Sequence, residues 1–190
     1  MKCLMCESLS LTHICPVCQE LFLTPSLYKR KLPNGVDVLS FYKYSEIKKL
    51  LHTKHTDLGY YIYRLLAKNS MQRFAQTFTF ENSVTSIAID DNPKENYSHT
   101  ALLNRALKSE FIEPKHAILR ARNPLSYSGK SKEFRLSNPR EFEMKSFEGR
   151  DVIVVDDIVT TGTTLQEAIA ILKSNNKETL FCLALCDVSL

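Results

Sequence analysis

With 190 residues, 44% hydrophobic and 24% charged, the chain is sized for one compact domain plus a small appendage, and its composition excludes a largely disordered or collagen-like polymer. No run approaches the roughly 18–20 consecutive apolar residues of a membrane-spanning helix, and Met1 to Ser10 lacks the apolar core of a signal peptide, so a cytoplasmic protein is expected. The net charge of +4 is a small surplus whose meaning depends on where the charge sits.

Six cysteines in a chain expected to stay in a reducing compartment argue against a disulfide framework, and four of them cluster at the amino-terminal end. Cys3-x-x-Cys6 and Cys15-x-x-Cys18 are two thiolate pairs, each able to chelate an ion through a tight turn; four thiolates in a tetrahedron is zinc geometry. The segment is too short to bury a core of its own, so metal binding would supply its folding free energy and the zinc would be structural. An iron–sulfur cluster and free thiols are the alternatives, and His13 reads as a bystander. Residues 1–24 are thus expected to form a four-cysteine zinc finger. Cys182 and Cys186, in an apolar run far away, read as small buried hydrophobes.

Thr24 to Asn34 is polar and basic, with Lys29, Arg30 and Lys31 between Pro25 and Pro33, and reads as a linker over residues 25–35, leaving 36–190 as the main domain. Val36 to Tyr44 predicts a strand at an edge or in a hairpin. Leu58, Tyr61, Ile62, Leu65 and Leu66 recur at helical spacing, with Asp57 placed as a cap, and predict a helix that buries this stripe. Val84 to Ile89 predicts a strand that ends in Asp90, Asp91, Asn92 and Pro93, and Leu102, Leu103, Ala106 and Leu107 predict a helix. A short strand near Ala117 to Leu119 leads into Arg120 to Glu148, which has no periodicity and reads as a long functional loop. A strand at Val152 to Val155, a helix at Leu165 to Lys173 and a strand at Thr179 to Leu185 follow. Strands alternating with helices predict an α/β fold with a mainly parallel sheet flanked by helices.

The unbroken apolar run Val152 to Val155 suits a central strand buried on both faces, and it stops at Asp156 and Asp157, placing two acids at the strand's carboxyl end, where open α/β sheets bind ligands. The loop Ile158, Val159, Thr160, Thr161, Gly162, Thr163 is dense in hydroxyls, and Gly162 permits positive φ and a close backbone approach. A helix begins at once, with Thr163 and Gln166, or Thr164 and Glu167, spaced as a capping box. Its positive end would face an anion held by the loop. Amides and threonine hydroxyls suit a phosphate, and the neighbouring carboxylates suit the cis hydroxyls of a ribose. GxxxxGK[ST] and GxGxxG are both missing, which argues against a P-loop or dinucleotide site; an acid pocket of response-regulator type is a rival that does not need the threonines.

The stretch VIVVDDIVTTGTT, Val152 to Thr164, resembles the phosphoribosyl pyrophosphate motif of type I phosphoribosyltransferases. Joined to an N-terminal four-cysteine knuckle in a chain of this size, it is similar to the ComF family of bacterial competence proteins, of the ComFC type. The resemblance implies a type I phosphoribosyltransferase-like fold with a small N-terminal zinc knuckle. It implies Asp156 and Asp157 as catalytic-site acids on the ribose hydroxyls, and Val159, Thr160, Thr161, Gly162, Thr163 and Thr164 around the 5'-phosphate. It also implies magnesium bound with phosphoribosyl pyrophosphate. Arg135-x-x-Asn138 resembles a family pattern upstream of the motif. Where many members carry Arg-Gly-Phe-Asn-Gln after the second strand, this chain has Asn96, Tyr97, Ser98, His99 and Thr100.

Two functions are expected from this. Membership of the competence family would mean handling incoming single-stranded DNA during uptake across the inner membrane, with components of the DNA-uptake machinery as partners and peripheral association with the inner face of the cytoplasmic membrane. Lys115, Arg120, Arg122, Lys130, Lys132, Arg135 and Arg140 face only one acid, Glu133, between positions 115 and 140, a pattern that attracts phosphate backbones, with Lys130, Lys132 and Arg135 at its centre. Tyr127 and Phe134 could stack bases there; an ordinary solvated face with Phe134 in the core is the competing view. The alternative function is a magnesium-dependent phosphoribosyltransferase acting on an unknown nucleophile or base.

Overall fold

The computed structural model describes residues 1–90, 97–123 and 132–190. After the cysteine cluster the chain forms α1 (Pro16–Phe22), β1 (Tyr28–Lys31), β2 (Asp37–Lys43), α2 (Tyr44–Leu51), a 3₁₀ turn (His52–His55) and α3 (Asp57–Ala67), which passes through a π turn (Lys68–Gln72) into α4 (Arg73–Thr77). Then come β3 (Val84–Asp90), α5 (His99–Arg105), β4 (Ile112–Ala121), α6 (Lys132–Ser137), β5 (Phe142–Met144), β6 (Asp151–Val159), α7 (Thr163–Ser174) and β7 (Glu178–Asp187).

The sheet is organised about β6, whose Val152, Ile153, Val154 and Val155 are all fully buried, so both faces of the strand must be covered. β3 and β7 flank it in parallel, and β4 and β2 extend the parallel set outward. β1 and β5 close the two edges antiparallel, giving the seven-strand order β1-β2-β7-β6-β3-β4-β5. Residues alternate between faces. Ile153, Val155, Leu183 and Leu185 pack under α2 to α5 with Ile47, Ile62, Tyr63 and Leu103, whereas Val152, Val154, Cys182 and Ala184 pack under α7 with Leu165, Ala168 and Leu172. Cys3, Ile14, Cys18 and Leu23 join the first of these clusters, so the cysteine knuckle is seated on the main core. Burial raises the thiol pKa of both Cys182 and Cys186, in keeping with their reading as small hydrophobes.

Several sequence expectations change. Thr24 to Asn34 is not a featureless linker: it carries β1, which pairs with β2 through a turn at Asn34-Gly35, with Gly35 at φ 88°. The basic residues that suggested a linker instead protect a sheet edge, Lys29 pairing with Asp37 at 2.8 Å. Arg120 to Glu148 holds α6 and β5, and β4 starts at Ile112, well before Ala117. Strand β6 runs on through both aspartates to Val159, held by pairing of Asp156, Ile158 and Val159 with β7, so the loop shrinks to Thr160, Thr161 and Gly162.

Helix α3 buries Gly59, Ile62, Tyr63, Leu66 and Ala67, while Tyr61 is 53% exposed. The buried face is thus rotated from the predicted one toward Gly59 and Tyr63. A Cβ on Gly59 would lie 2.2 Å from the Thr53 carbonyl oxygen and 2.4 Å from the Tyr97 hydroxyl, so the 3₁₀ turn and the segment before α5 press directly on this side of the helix. Thr56 is the N-cap residue, without a side-chain bond, and Asp57 sits in the first turn, where its charge favours the helix dipole. Among the described residues no helix is long and apolar enough to cross a membrane.

Candidate functional site

At the carboxyl end of β6 the chain turns through Thr160, Thr161 and Gly162 into α7. Gly162 is the N-cap residue at φ 78°, a conformation that L side chains rarely adopt, and its missing Cβ would sit 2.4 Å from Leu32 Cδ2. Neither predicted capping box forms. The Gln166 amide reaches the Gly162 carbonyl at 3.4 Å, and Glu167 accepts the Arg140 N–H at 2.7 Å instead of turning back to its own helix. Burial pushes the Glu167 pKa up, opposed by Arg140. With no side-chain cap, the N–H groups of Thr161, Gly162, Thr164 and Leu165 have no protein acceptor among the described residues. The Thr161 and Thr163 hydroxyls lie 2.9 Å apart beside them. Unsatisfied amides at the positive end of a twelve-residue helix, lined by hydroxyls, form a seat for an anion.

The two acids have different surroundings. Asp157 is only 6% exposed. Its Oδ2 accepts from Tyr63 Oη at 3.1 Å and Lys54 Nζ at 3.2 Å and lies 3.4 Å from His99 Nε2, while its Oδ1 accepts the Ile158 N–H at 2.8 Å. Burial pushes its pKa up, but the charges of Lys54 and His99 and the hydrogen bonds from Lys54 and Tyr63 outweigh that and hold it at about 2. The same burial, reinforced by Asp157, raises the Tyr63 hydroxyl pKa well above its ordinary value. Asp156 is half-buried and accepts the Asp157 N–H through Oδ1 at 2.8 Å.

Lys54, Tyr63 and His99 were not foreseen from the sequence. The 3₁₀ turn that carries Lys54 is tied down by a hydrogen bond from Tyr97 Oη to the Lys54 carbonyl at 2.8 Å, against the flat side of Gly59. Ser98 caps α5 by accepting the Ala101 N–H at 3.2 Å, which sets His99 in the first turn. Tyr97, Ser98 and His99 lie in the stretch that departs from the Arg-Gly-Phe-Asn-Gln pattern. That departure was the one signal in the sequence, because these residues serve the buried acid and its lysine.

Other predicted site residues are dispersed. The Val159 side chain is in the core and its carbonyl accepts the Val188 N–H, so it offers no side-chain contact to a ligand. Lys130 and Tyr127 lie outside the described residues; Lys132 and Arg135 fall in α6, but their side chains are outside the description. The basic window is also less one-sided than its sequence: Lys115 pairs with Glu113 at 2.6 Å, Arg122 pairs with Glu143 at 2.5 Å, and Arg140 is buried. Both acids lie just beyond the window, Glu113 on the same strand as Lys115 and Glu143 across the pairing of β4 with β5. Arg120, Arg122 and Lys145 nevertheless line a groove of about 520 Å³ floored by Ile118, Phe142 and Met144.

The four N-terminal cysteines do come together. Their sulfurs all lie within 4.8 Å of one another, and Cys6 Sγ and Cys15 Sγ are 3.8 Å apart. Tetrahedral zinc with Zn–S bonds of about 2.3 Å requires a sulfur spacing of about 3.8 Å, so the donor set and its spacing fit that ion. Cys3 Sγ accepts N–H groups from Cys15 and Met5, and backbone bonds from Cys15 and Cys6 lower its pKa to about 6. Burial and the neighbouring sulfurs raise that of Cys18 to about 12. Four such groups cannot all ionise side by side without a cation between them. The His13 ring packs tilted against Tyr61, with ring centroids 5.0 Å apart, and is not one of the clustered ligands.

Because the Asp157 pKa is depressed in the folded state, its stabilising contribution is full above the ordinary carboxyl value of 3.8 and is lost as the pH falls toward about 2. Asp157→Asn is expected to lower stability at neutral pH and to flatten the wild-type decline between those two values. Urea denaturation at stepped pH measures both effects, and an unchanged decline in the variant would show that Asp157 does not carry this linkage.

Residues 117–189, which include β5, β6, the threonine loop, α7 and β7, match the family described as phosphoribosyl transferase domain. A transcriptional regulator, GfcR, of Haloferax volcanii is 50% identical over 40 residues, which is 21% of this chain and 19% of that protein, so the chain matches only a small part of that relative's length. Among solved structures, a hypoxanthine phosphoribosyltransferase from Staphylococcus aureus is similar at 15% identity over 66% of this chain and 62% of its own, with a TM-score of 0.40. An orotate phosphoribosyltransferase from Aeropyrum pernix is similar at 17% identity over 89% and 78%, with a TM-score of 0.39. An adenine phosphoribosyltransferase is similar at 16% identity over 89% and 88%, with a TM-score of 0.43. The mainly parallel sheet and the match over residues 117–189 together give a phosphoribosyltransferase-type fold to the part of the chain that bears the anion seat.

Proposed function

We propose that this protein binds a 5-phosphorylated ribose at the junction of β6 and α7, with phosphoribosyl pyrophosphate as the ligand. The observation that carries this is the set of amides of Thr161, Gly162, Thr164 and Leu165, which have no protein acceptor among the described residues, just beyond a pair of aspartates at the end of β6. Phosphate oxygens would take those N–H groups and the Thr161 and Thr163 hydroxyls. Asp156, the more exposed acid, would accept from the ribose hydroxyls, with Asp157 supporting it from the buried side. Magnesium, arriving with the ligand, would offset the charge of the pyrophosphate. If an acceptor nucleophile also binds, transfer follows: the bond from the anomeric carbon to pyrophosphate breaks with its electron pair leaving on oxygen, and the nucleophile forms the new bond. The residues named here would contribute mostly positioning and charge stabilisation.

A second reading, handling of single-stranded DNA during uptake in the cytoplasm at the inner membrane face, follows from the ComF resemblance and is favoured by one surface. Arg120 and Lys145 make no ion pair among the described residues and line the apolar-floored groove beside β5, a combination that suits a phosphate backbone with bases laid against Phe142 and Met144. Partners in an uptake machinery belong to the same reading. The cysteine knuckle, in either reading, holds a structural zinc that seats α1 on the core.

Calorimetric titration of magnesium phosphoribosyl pyrophosphate is expected to show one site in the wild type and at least roughly tenfold weaker binding in Asp156→Asn, as for the loss of a charge-assisted hydrogen bond. No heat from the wild type would remove the ribose phosphate proposal. For the DNA reading, a labelled single-stranded oligonucleotide should bind with strong salt dependence, and Arg120→Ala/Lys145→Ala should weaken it several-fold and reduce the salt slope by about 1–2. Equal binding by the variant would dismiss the groove. Metal analysis should find one zinc per chain, lost with partial unfolding in Cys3→Ser; iron, or no metal, would refute the zinc assignment.

A further inference from the structure

We infer that Arg30, on the edge strand β1, is the positioning residue of the phosphate loop, holding Thr160, Thr161 and Gly162 in the shape that aims their amides at an anion. This rests on the reading that the loop takes a phosphate. Arg30 lies more than a hundred residues from the loop in sequence, in a segment that reads as a linker.

Its guanidinium joins two strands at their carboxyl ends. Arg30 Nε is ion-paired with Asp187 Oδ2 at the end of β7, and Arg30 Nη2 donates to the Thr160 carbonyl at 2.8 Å just past the end of β6. Asp187 is 1% exposed, and its Oδ1 accepts both the N–H and the hydroxyl of Ser189, so the carboxylate is fixed before it receives the arginine. The Val188 N–H binds the Val159 carbonyl at 2.9 Å, locking the two strand ends together.

The consequence for the loop follows from peptide geometry. A trans peptide is planar with its C=O and N–H pointing in opposite directions. Pinning the Thr160 carbonyl on Arg30 therefore directs the Thr161 N–H away from Arg30, and that N–H has no protein acceptor among the described residues. Just past the end of β1, Leu32 is 3% exposed and packs on Gly162 so closely that a Cβ there would lie 2.4 Å from Leu32 Cδ2 and displace it. The β1 segment and the residue that follows it thus hold the loop at both ends, by an ion-paired donor at Thr160 and by apolar contact at Gly162. Lysine could keep one of the two polar contacts but cannot span both, because only the guanidinium presents two donors in a fixed plane.

The test uses the full-length, metal-replete protein and two readouts. Arg30→Ala is expected to bind magnesium phosphoribosyl pyrophosphate roughly 10–100-fold more weakly, as for loss of hydrogen bonds to a charged group. Arg30→Lys should fall between it and wild type, and millimolar guanidinium chloride should restore binding to Arg30→Ala when sodium chloride of equal ionic strength does not. Independently of ligand, amide exchange at Thr161 to Leu165 should be faster in Arg30→Ala, with Val152 to Val155 still protected. Wild type that binds no ligand would overturn the ribose phosphate reading while exchange still judged the brace. Unchanged affinity in Arg30→Ala with a binding wild type, unchanged loop exchange, or no selective rescue by guanidinium would overturn the inference.

Discussion

The buried carboxylate of Asp157 sets the terms for the whole carboxyl end of the sheet. An ionised group almost removed from water costs several kcal/mol unless charges and donors surround it. Here the partners come from three separate elements: Lys54 from the 3₁₀ turn, Tyr63 from α3 and His99 from α5. Satisfying one acid therefore fixes the turn, two helices and the central strand relative to one another. Gly59 is part of the same solution, since any larger residue would push the Thr53 backbone, and Lys54 with it, away from α3. A pair of acids that looks symmetric in sequence is divided by this arrangement into a buried, fully partnered carboxylate and a more exposed one.

The opposite flank of the loop is organised by another charge pair of the same kind. Asp187 at the end of β7 is fully buried and held by Arg30 from β1. The strand that supplies Arg30 follows directly on the cysteine knuckle, whose Leu23 is in the core and whose carbonyl at that residue accepts the buried Tyr42 hydroxyl at 2.9 Å. The Ser26 N–H then binds the Phe41 carbonyl, laying the chain onto β2 just before β1 begins. Knuckle and edge hairpin are thus consecutive along the backbone, and the Arg30 contact with the Thr160 carbonyl ties them to the anion seat, which lies more than a hundred residues away in sequence.

Much of the fold was legible because apolar patterning is local. The run Val152 to Val155 announced a two-sided strand, and the helices under Leu58 to Leu66, Leu102 to Leu107 and Leu165 to Leu172 announced themselves by period. The cysteine pairs and the threonine loop were legible for the same reason, each being a cluster within a short stretch. What was not legible depends on contacts made across the sheet. Thr24 to Asn34 reads as linker because an edge strand exposes its charged side chains and buries little, so its composition resembles that of a loop. Neither capping box forms because the helix cap falls on Gly162, and Arg140, 27 residues away from Glu167, offers that carboxylate a backbone N–H that spacing rules do not see.

The same limit explains why charge counts along a window mislead. Between positions 115 and 140 basic residues far outnumber acids, yet Glu113 and Glu143 neutralise Lys115 and Arg122 from either side of that window, the second across the antiparallel pairing of β4 and β5. Surface pairs of this sort add little stability, about 0–1 kcal/mol, but they decide which cations are left to meet a polyanion. Among the described residues that line the groove beside β5, Arg120 and Lys145 are the cations left without an ion pair. Arg30 and Lys54 are paired with the buried Asp187 and Asp157, so they act at the strand ends by holding the backbone in place, and neither stands out in a count of lysines and arginines. The shape of the proposed anion seat is a property of how strand ends are tied together, and it depends on the partners of two buried aspartates rather than on the number of basic residues in the sequence.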